Sequence, residues 1–444
     1  MIDVPAQSTM VLTMEMWIAA GILLGSYLLI FSEILHRTIA AVLGAVVMVG
    51  MGFASGFYSQ QMAMSAIDGN TLLLLLAMMM LVAMLRPTGG LEYLGIRMAK
   101  MAGGNPRKLL VYLCLATSVA SMFLDNVTTV LIFAPLTVLI TRILDINPVP
   151  FLMGEAMLSN IGGAATLVGD PPNIMIGSAA GLDFMAFLTH MGPMVIPAWI
   201  ATTLLLLVLF RRELRPASGA SVRVDLDESK AIKDHGGLVR ICVALAIVIG
   251  LFFVHHKLHL YPAYVAWIGV AIAMLISRPN PEKLFAEVEW SVLLFFAALF
   301  IIVGGVDSSG LLELLGQALA ALAEDPERLL WSALIIMWVA ALLSALVDNI
   351  PFTITMLPII ASLEAQGISV TSFWWALAIG VGLGGNVTHI GATANIICIA
   401  EVERSQHPNA RISPLQWMRK GVPVSLLSLI SVSLIYIAFF DWYR

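Results

Sequence analysis

About a dozen apolar stretches of roughly 17 to 25 residues follow one another along this chain, each long enough to cross about 30 Å of hydrocarbon as an α-helix. Inside a bilayer the backbone amides and carbonyls must be satisfied within the chain itself, and stretches of this length do so as helices. The composition agrees: 60% of the 444 residues are hydrophobic and 11% are charged, with a mean hydropathy of +0.94, whereas a soluble protein carries about 25% charged residues. These features exclude a water-soluble enzyme and predict an all-α polytopic membrane protein that needs no cofactor. A net charge of -5 with no basic block argues against a nucleic-acid partner. The partners are therefore the lipid bilayer and whatever moves across it. Residues 1 to 17 hold no Lys or Arg, so the charged n-region of a cleaved signal peptide is missing and the first helix is expected to stay. Cys114, Cys242 and Cys398 lie in separate apolar stretches without metal-ligand spacing, which predicts neither a disulfide framework nor a metal site.

The apolar stretches form two sets of six. The first set lies near 13–34, 38–55, 71–86, 108–142, 154–180 and 190–211, the second near 237–255, 262–277, 290–306, 329–364, 374–402 and 420–440. The charge-rich, Pro-, Gly- and Ser-containing segment between them has the composition of a solvated linker. We therefore divide the chain into a first repeat at 1–210, a linker at 211–236 and a second repeat at 237–444. Two interruptions recur in both halves. Asp125-Asn126 is followed by Pro135 as Asp348-Asn349 is by Pro358, an offset of 223. The run from Gly162 to Ile174 aligns without a gap to Gly384 to Ile396, an offset of 222, with identities at Gly162, Gly163, Thr166, Gly169, Asn173 and Ile174. The fold is predicted to be duplicated.

The distribution of Lys and Arg orients the halves. If each fourth stretch is a re-entrant hairpin and each fifth a single broken crossing, each half crosses five times. With both termini outside, all of the 23 Lys and Arg except Lys257, Arg328 and Arg444 then fall on the cytoplasmic side. An odd number of crossings makes the repeats inverted, as in many secondary transporters. A bacterial inner membrane is the expected location.

Broken helices are tolerated at membrane depth only where protein or a water-filled cavity satisfies the freed backbone. Gly162, Gly163, Gly169 and the Pro171-Pro172 pair predict one such break, and Gly384, Gly385 and Gly391 the other. Hairpin tips at Asp125-Asn126 and Asp348-Asn349 would meet these breaks in one polar pocket. Candidate substrate ligands are Asn126, Thr129, Asn173, Asn349, Thr353, Asn395, Thr166 and Thr388. The alternative is local: Asn caps helix ends, and Thr hydroxyls bond back to their own helix. Asp125, Asp348 and Asp170 are candidate proton carriers, because a buried carboxylate must be paired, bind a cation or be protonated. His389 could relay protons or simply bond a carbonyl. Met78 to Met80 read as packing or lipid-facing residues, and Trp374, Trp375 and Trp442 as interfacial anchors.

The paired Asp-Asn tips and the run Gly169-Asp170-Pro171-Pro172-Asn173 resemble the ion transporter superfamily, in the branch that holds arsenite efflux permeases (the arsenical pump membrane protein), the P protein and NhaD-type sodium/proton antiporters. The resemblance spans nearly the whole chain. It implies a scaffold, two opposed hairpins and an elevator-like movement. Related divalent-anion symporters carry Ser-Asn-Thr at the tips, where this chain has Asp125-Asn126-Val127-Thr128 and Asp348-Asn349-Ile350-Pro351. The added carboxylates would repel an anionic substrate. The expected function is efflux of arsenite and antimonite in exchange for protons, with sodium/proton exchange as the alternative, and sodium-coupled carboxylate transport or a channel behind these. A cytoplasmic arsenite-stimulated ATPase subunit is a conceivable partner in such systems. Neither an HExxH helix nor a Gly-x-Ser-x-Gly turn is present, so no enzyme is expected.

Overall fold

The computed structural model describes residues 12–32, 34–214, 231–323, 328–346, 348–405 and 410–444, and these are helices joined by short turns. The first half runs α1 (Met14–Phe31), α2 (Arg37–Ser55), α3 (Gln60–Ala66), α4 (Gly69–Leu85), α5 (Gly90–Ala102), α6 (Pro106–Ser121), α7 (Asn126–Ile143), α8 (Val149–Gly163), α9 (Pro171–Ala180) and α10 (Phe184–Leu209). The second half runs α11 (His235–Phe252), α12 (Pro262–Ser277), α13 (Pro281–Ala286), α14 (Trp290–Ser308), α15 (Leu311–Ala323), α16 (Leu329–Leu346), α17 (Asn349–Ala365), α18 (Thr371–Gly384), α19 (Thr393–Arg404) and α20 (Pro414–Ala438), with a last turn α21 (Phe440–Tyr443).

Taken in order, each helix of the second half has a counterpart in the first whose length differs by no more than three residues, from 18 and 18 for α1 and α11 to 26 and 25 for α10 and α20. The series includes the short helices α3, α5, α13 and α15, which hydropathy did not reveal because they are too short to span and, in α5, carry Glu92, Arg97 and Lys100. Nine described helices are long and apolar enough to cross a membrane, α7 and α16 among them. Neither α8 with α9 nor α18 with α19 contributes to that number, because a break divides each pair.

The helix ends follow local chemistry. Asn105 caps α6, accepting from the amides of Arg107 and Lys108, with Pro106 at the first helical position where no N–H is needed. Ser413 and Gln416 close a capping box at the start of α20. Gly181 ends α9 with φ +64, the left-handed cap that glycine takes without strain.

By packing, the chain divides into two compact units, and each draws on both halves of the sequence. The first comprises Met1–Gly69, Trp290–Leu329 and Ile354–Val370. Within it α2 lies against α1 and α14. Small residues permit the approach: a methyl group on Gly44 would reach the Ser26 side chain and come to 2.9 Å from Ile302 Cδ1. Side-chain hydroxyls tie the unit together, Thr38 donating to the Ser291 carbonyl at 2.9 Å and Tyr58 to that of Ile301 at 3.0 Å.

The second unit comprises Asn70–Glu289, Leu330–Thr353 and Thr371–Arg444. Here α8 packs against α6, α7, α10, α18 and α19, and α8 from Pro150 to Gly163 is buried on every side. At one end Asn70, the α9–α10 turn and the α11–α12 turn surround a cavity of about 320 Å³. At another, Arg86 meets Glu287 at 3.5 Å and the Lys233 amide donates to the Thr88 carbonyl at 2.9 Å. One expectation needs correcting. Trp374 and Trp375 are not interfacial anchors but core residues, 3% and 1% exposed, because Trp375 is enclosed by Phe187 and by the His190 ring stacked on it at 4.6 Å. Trp442 is exposed, as an anchor would be. Met78 and Met80 are buried packing residues.

Candidate functional site

Both predicted breaks lie in the second unit, and they are built alike. α8 stops at Gly163, residues 164–170 form tight turns, and α9 starts at Pro171, where two prolines suit the first helical positions. The turn folds back so closely that a methyl on Gly163 would sit 2.5 Å from the Gly169 carbonyl oxygen, and one on Gly169 at 2.5 Å from that of Gly163. In the second break Gly385 and Gly391 approach in the same way, at 2.9 and 2.7 Å. The glycines are therefore required for backbone contact across the loop.

Asn173, in the first turn of α9, reaches back across the break and donates its side-chain amide to the carbonyls of Gly163 at 3.2 Å and Thr166 at 2.8 Å. Asn395 does the same to Gly385 at 2.8 Å and Thr388 at 2.9 Å. Carbonyls that lose their helical partner at a break are thus satisfied by a side chain. The Thr166 hydroxyl donates to the Met122 carbonyl at the end of α6, and that of Thr388 to the Ala345 carbonyl in α16 at 2.6 Å. Ser121 and Ser344 add a further matched pair, to Ser159 at 2.8 Å and Val381 at 2.9 Å. The turn after α6 and the end of α16 are thereby fastened to the breaks.

A chain of buried amides then links the start of α7 to both breaks. Asn126, the first residue of α7, donates to the side-chain oxygen of Asn160 at 2.9 Å and to Asp170 at 3.4 Å. Asn160 donates to the side-chain oxygens of Asn386 at 2.8 Å and Asn395 at 3.2 Å. Asn386 donates to the Met157 carbonyl at 3.2 Å, and its own carbonyl receives the Trp417 indole N–H at 3.1 Å. All four asparagines and Asp170 are no more than 3% exposed.

The carboxylates gather here as well. Asp125 caps α7, accepting from the Thr128 amide at 2.9 Å and from its hydroxyl, so its negative charge lies at the positive end of a helix. Asp348 holds the equivalent place before α17 and is half-buried. Asp170 is within electrostatic reach of both. No Lys or Arg occurs at 109–141, 143–210 or 329–403, which covers every asparagine and aspartate of this constellation.

The other expected residues are placed as follows. Asn349 is buried at the start of α17. Thr353 bonds back to the Asn349 carbonyl at 2.7 Å. Among the described residues the buried Thr129 hydroxyl has no hydrogen-bond partner, nor has His389 Nδ1 in the second break. Cys114 and Cys398 are buried and Cys242 is exposed, all three as free thiols, and among the described residues no cluster of three His, Cys, Asp or Glu could hold a metal.

Sequence reasoning missed Asn160, Asn386 and Glu155. Asn160 stands two residues before one Gly-Gly pair and Asn386 directly after the other. Each is an amide in an apolar segment, the signal that marks a transport path. A search for what the halves share passes over them, because these are positions where the halves differ.

A bundle of spanning helices with two broken ones, its buried polar side chains gathered at the breaks, defines the class: a secondary transporter. Residues 27–380 match the family model described as citrate transporter, CitMHS. The chain belongs to this family, within the ion transporter superfamily. An uncharacterized transporter of Mycobacterium tuberculosis is 39% identical over 426 residues, covering 95% of this chain and 97% of that protein. The human P protein is 31% identical over 501 residues, covering 93% of this chain and 59% of its own length. The fold is similar to that of the Alcanivorax borkumensis YdaH transporter, with a TM-score of 0.56 at 17% identity over 91% of this chain and 99% of that one.

Proposed function

We propose that this transporter exchanges a small uncharged, hydroxyl-bearing solute for protons, with arsenite and antimonite as its substrates. The observation that carries this reading is the charge balance of the site: three neighbouring carboxylates and a chain of amides, with no Lys or Arg in the segments that form it. An uncharged trihydroxide needs only donors and acceptors, which asparagine supplies in both kinds. The carboxylates remain to carry the protons. A citrate anion would meet three like charges and would need an accompanying cation to enter.

The family model's description favours a second reading, in which citrate enters together with a cation held by Asp125, Asp170 or Asp348. Sodium/proton exchange would use the same aspartates as ion ligands. Everted membrane vesicles distinguish these under an imposed gradient, acid inside. The expected result is uptake of arsenite that collapses with the gradient, without stimulation by sodium. Citrate uptake that requires a divalent cation, or proton release driven by sodium alone, would overturn it.

The inverted arrangement belongs to the same proposal. The matched helix lengths of the halves support it, as does the meeting of the Asn126 tip with the Asp170 break, which suits a hairpin that turns back at the depth of the break. The charge-rule topology, with the termini outside a bacterial inner membrane, is supported by which loops cluster. Asn70, Asp183 and His255, all assigned outside, share one cavity, while Arg86 and Glu287, both assigned inside, form an ion pair.

A further inference from the structure

We propose that Glu155 is a second proton-binding site of the transport cycle, separate from the carboxylates at the breaks. The inference rests on the proton-coupled reading above and concerns a residue that reading does not use. Glu155 lies on α8, which is buried on all sides, and is itself 0% exposed. One carboxyl oxygen accepts from the Thr137 hydroxyl of α7 at 2.5 Å, and the other, Oε2, is buried without a hydrogen-bond partner among the described residues.

The described surroundings offer no counter-charge. From α6 the Cys114 thiol, and from α19 the Cys398 thiol, lie within electrostatic reach of Glu155. Glu401 of α19 is paired with Arg404 at 2.6 Å, and Arg142 of α7 donates to the Ser405 carbonyl at 3.1 Å. α18 carries no titratable side chain, and the one on α10, His190, stacks on Trp375. A carboxylate in such a place would need a partner that is not there, so the group is held neutral, with a proton on it. A neutral Leu, Met or Gln would fill the same space without this requirement.

Two features make the proton part of the cycle. Glu155 is five residues before Asn160 on the same helix, about 7.5 Å along the axis, so it lies on the α8 N-terminal side of the amide chain. The repeat offset of 222 places Leu377 at the equivalent position. A proton store therefore exists on one side of the paired breaks and has no counterpart on the other.

The test uses the full chain in lipid vesicles. Infrared spectra of the wild type should show the C=O stretch of a protonated buried carboxyl at neutral pH, absent from Glu155→Gln. In Thr137→Val, which keeps Glu155, the band should move to higher frequency as its hydrogen bond is lost. The pH profile of transport should flatten by about tenfold in Glu155→Gln and recover part of its slope in Glu155→Asp. A wild-type spectrum unchanged by Glu155→Gln, or an unaltered pH profile in a variant that elutes and melts as the wild type does, would overturn the proposal. Should wild-type vesicles show no proton coupling with any substrate, the function proposed above fails, while a Glu155 band that rises and falls with pH still supports a proton exchanging at this residue.

Discussion

Asn160 donates its side-chain amide to the side-chain oxygen of Asn386 at 2.8 Å, joining a residue of the first repeat to one of the second. The repeat offset of 222 makes Gly382 the equivalent of Asn160, and Ala164 the equivalent of Asn386. These two equivalents also meet, a methyl on Gly382 lying 3.2 Å from Ala164 Cβ. Of the two contacts related by this offset, one is thus an amide pair and its counterpart is small and apolar. The scaffold is matched, and the polar chain through it is one-sided.

Asn160→Ala should therefore be among the most damaging single changes at the site. It removes a donor to Asn386 and Asn395 and the acceptor of Asn126. Each buried group left unsatisfied costs about 1–3 kcal/mol. Lower thermal stability together with loss of transport is expected in purified protein and vesicles, whereas Ala164→Gly, at the apolar counterpart of Asn386, should cost about 1 kcal/mol or less in stability.

The two clamps should respond in the same direction, with Asn395 the more sensitive because it also accepts from Asn160. Asn173→Ala and Asn395→Ala each strip two carbonyls of their donor at a break, and each should destabilise by about 2–4 kcal/mol. Gly163→Ala should be worse, because the colliding atom is a backbone carbonyl that no rotamer change can move. Thermal melts in detergent compare all three, and a break that tolerates the methyl would show that the turn is looser than described.

Asp125→Asn and Asp348→Asn fix the neutral form of the carboxylates that precede α7 and α17. On the proposed exchange, an inward-acid gradient drives uptake into everted vesicles, so acidifying the interior should raise the wild-type rate. In the two variants that dependence should disappear, and accumulation should fall by about tenfold or more. Wild-type accumulation and an unchanged pH profile in both would move the protons to Asp170 and His389.

Single cysteines at Ser59 and Ser221, in a cysteine-free background, test the inverted topology. An impermeant maleimide should label the first from outside intact cells and the second only after lysis. Ser221 falls outside the described residues, and the prediction for it rests on the charge rule alone. Labelling of both from outside would remove the inverted arrangement.

Sequence by itself located the long apolar stretches and the interruptions that recur in both halves. Hydropathy located the spanning stretches, and the Gly-Gly, Pro-Pro and Asp-Asn positions located the breaks and the starts of α7 and α17, because those residues act through local backbone geometry that does not depend on what packs against them. The partners of Asn173 and Thr166 were not legible, since each reaches carbonyls that only the folded-back turn brings near. Tertiary structure alone decided that Asn160 and Asn386 meet, that Trp375 is core, and that Glu155 is enclosed without a counter-charge. These outcomes depend on which helix faces lie together, and a hydrogen bond between residues 226 positions apart leaves no trace in the periodicity of either segment.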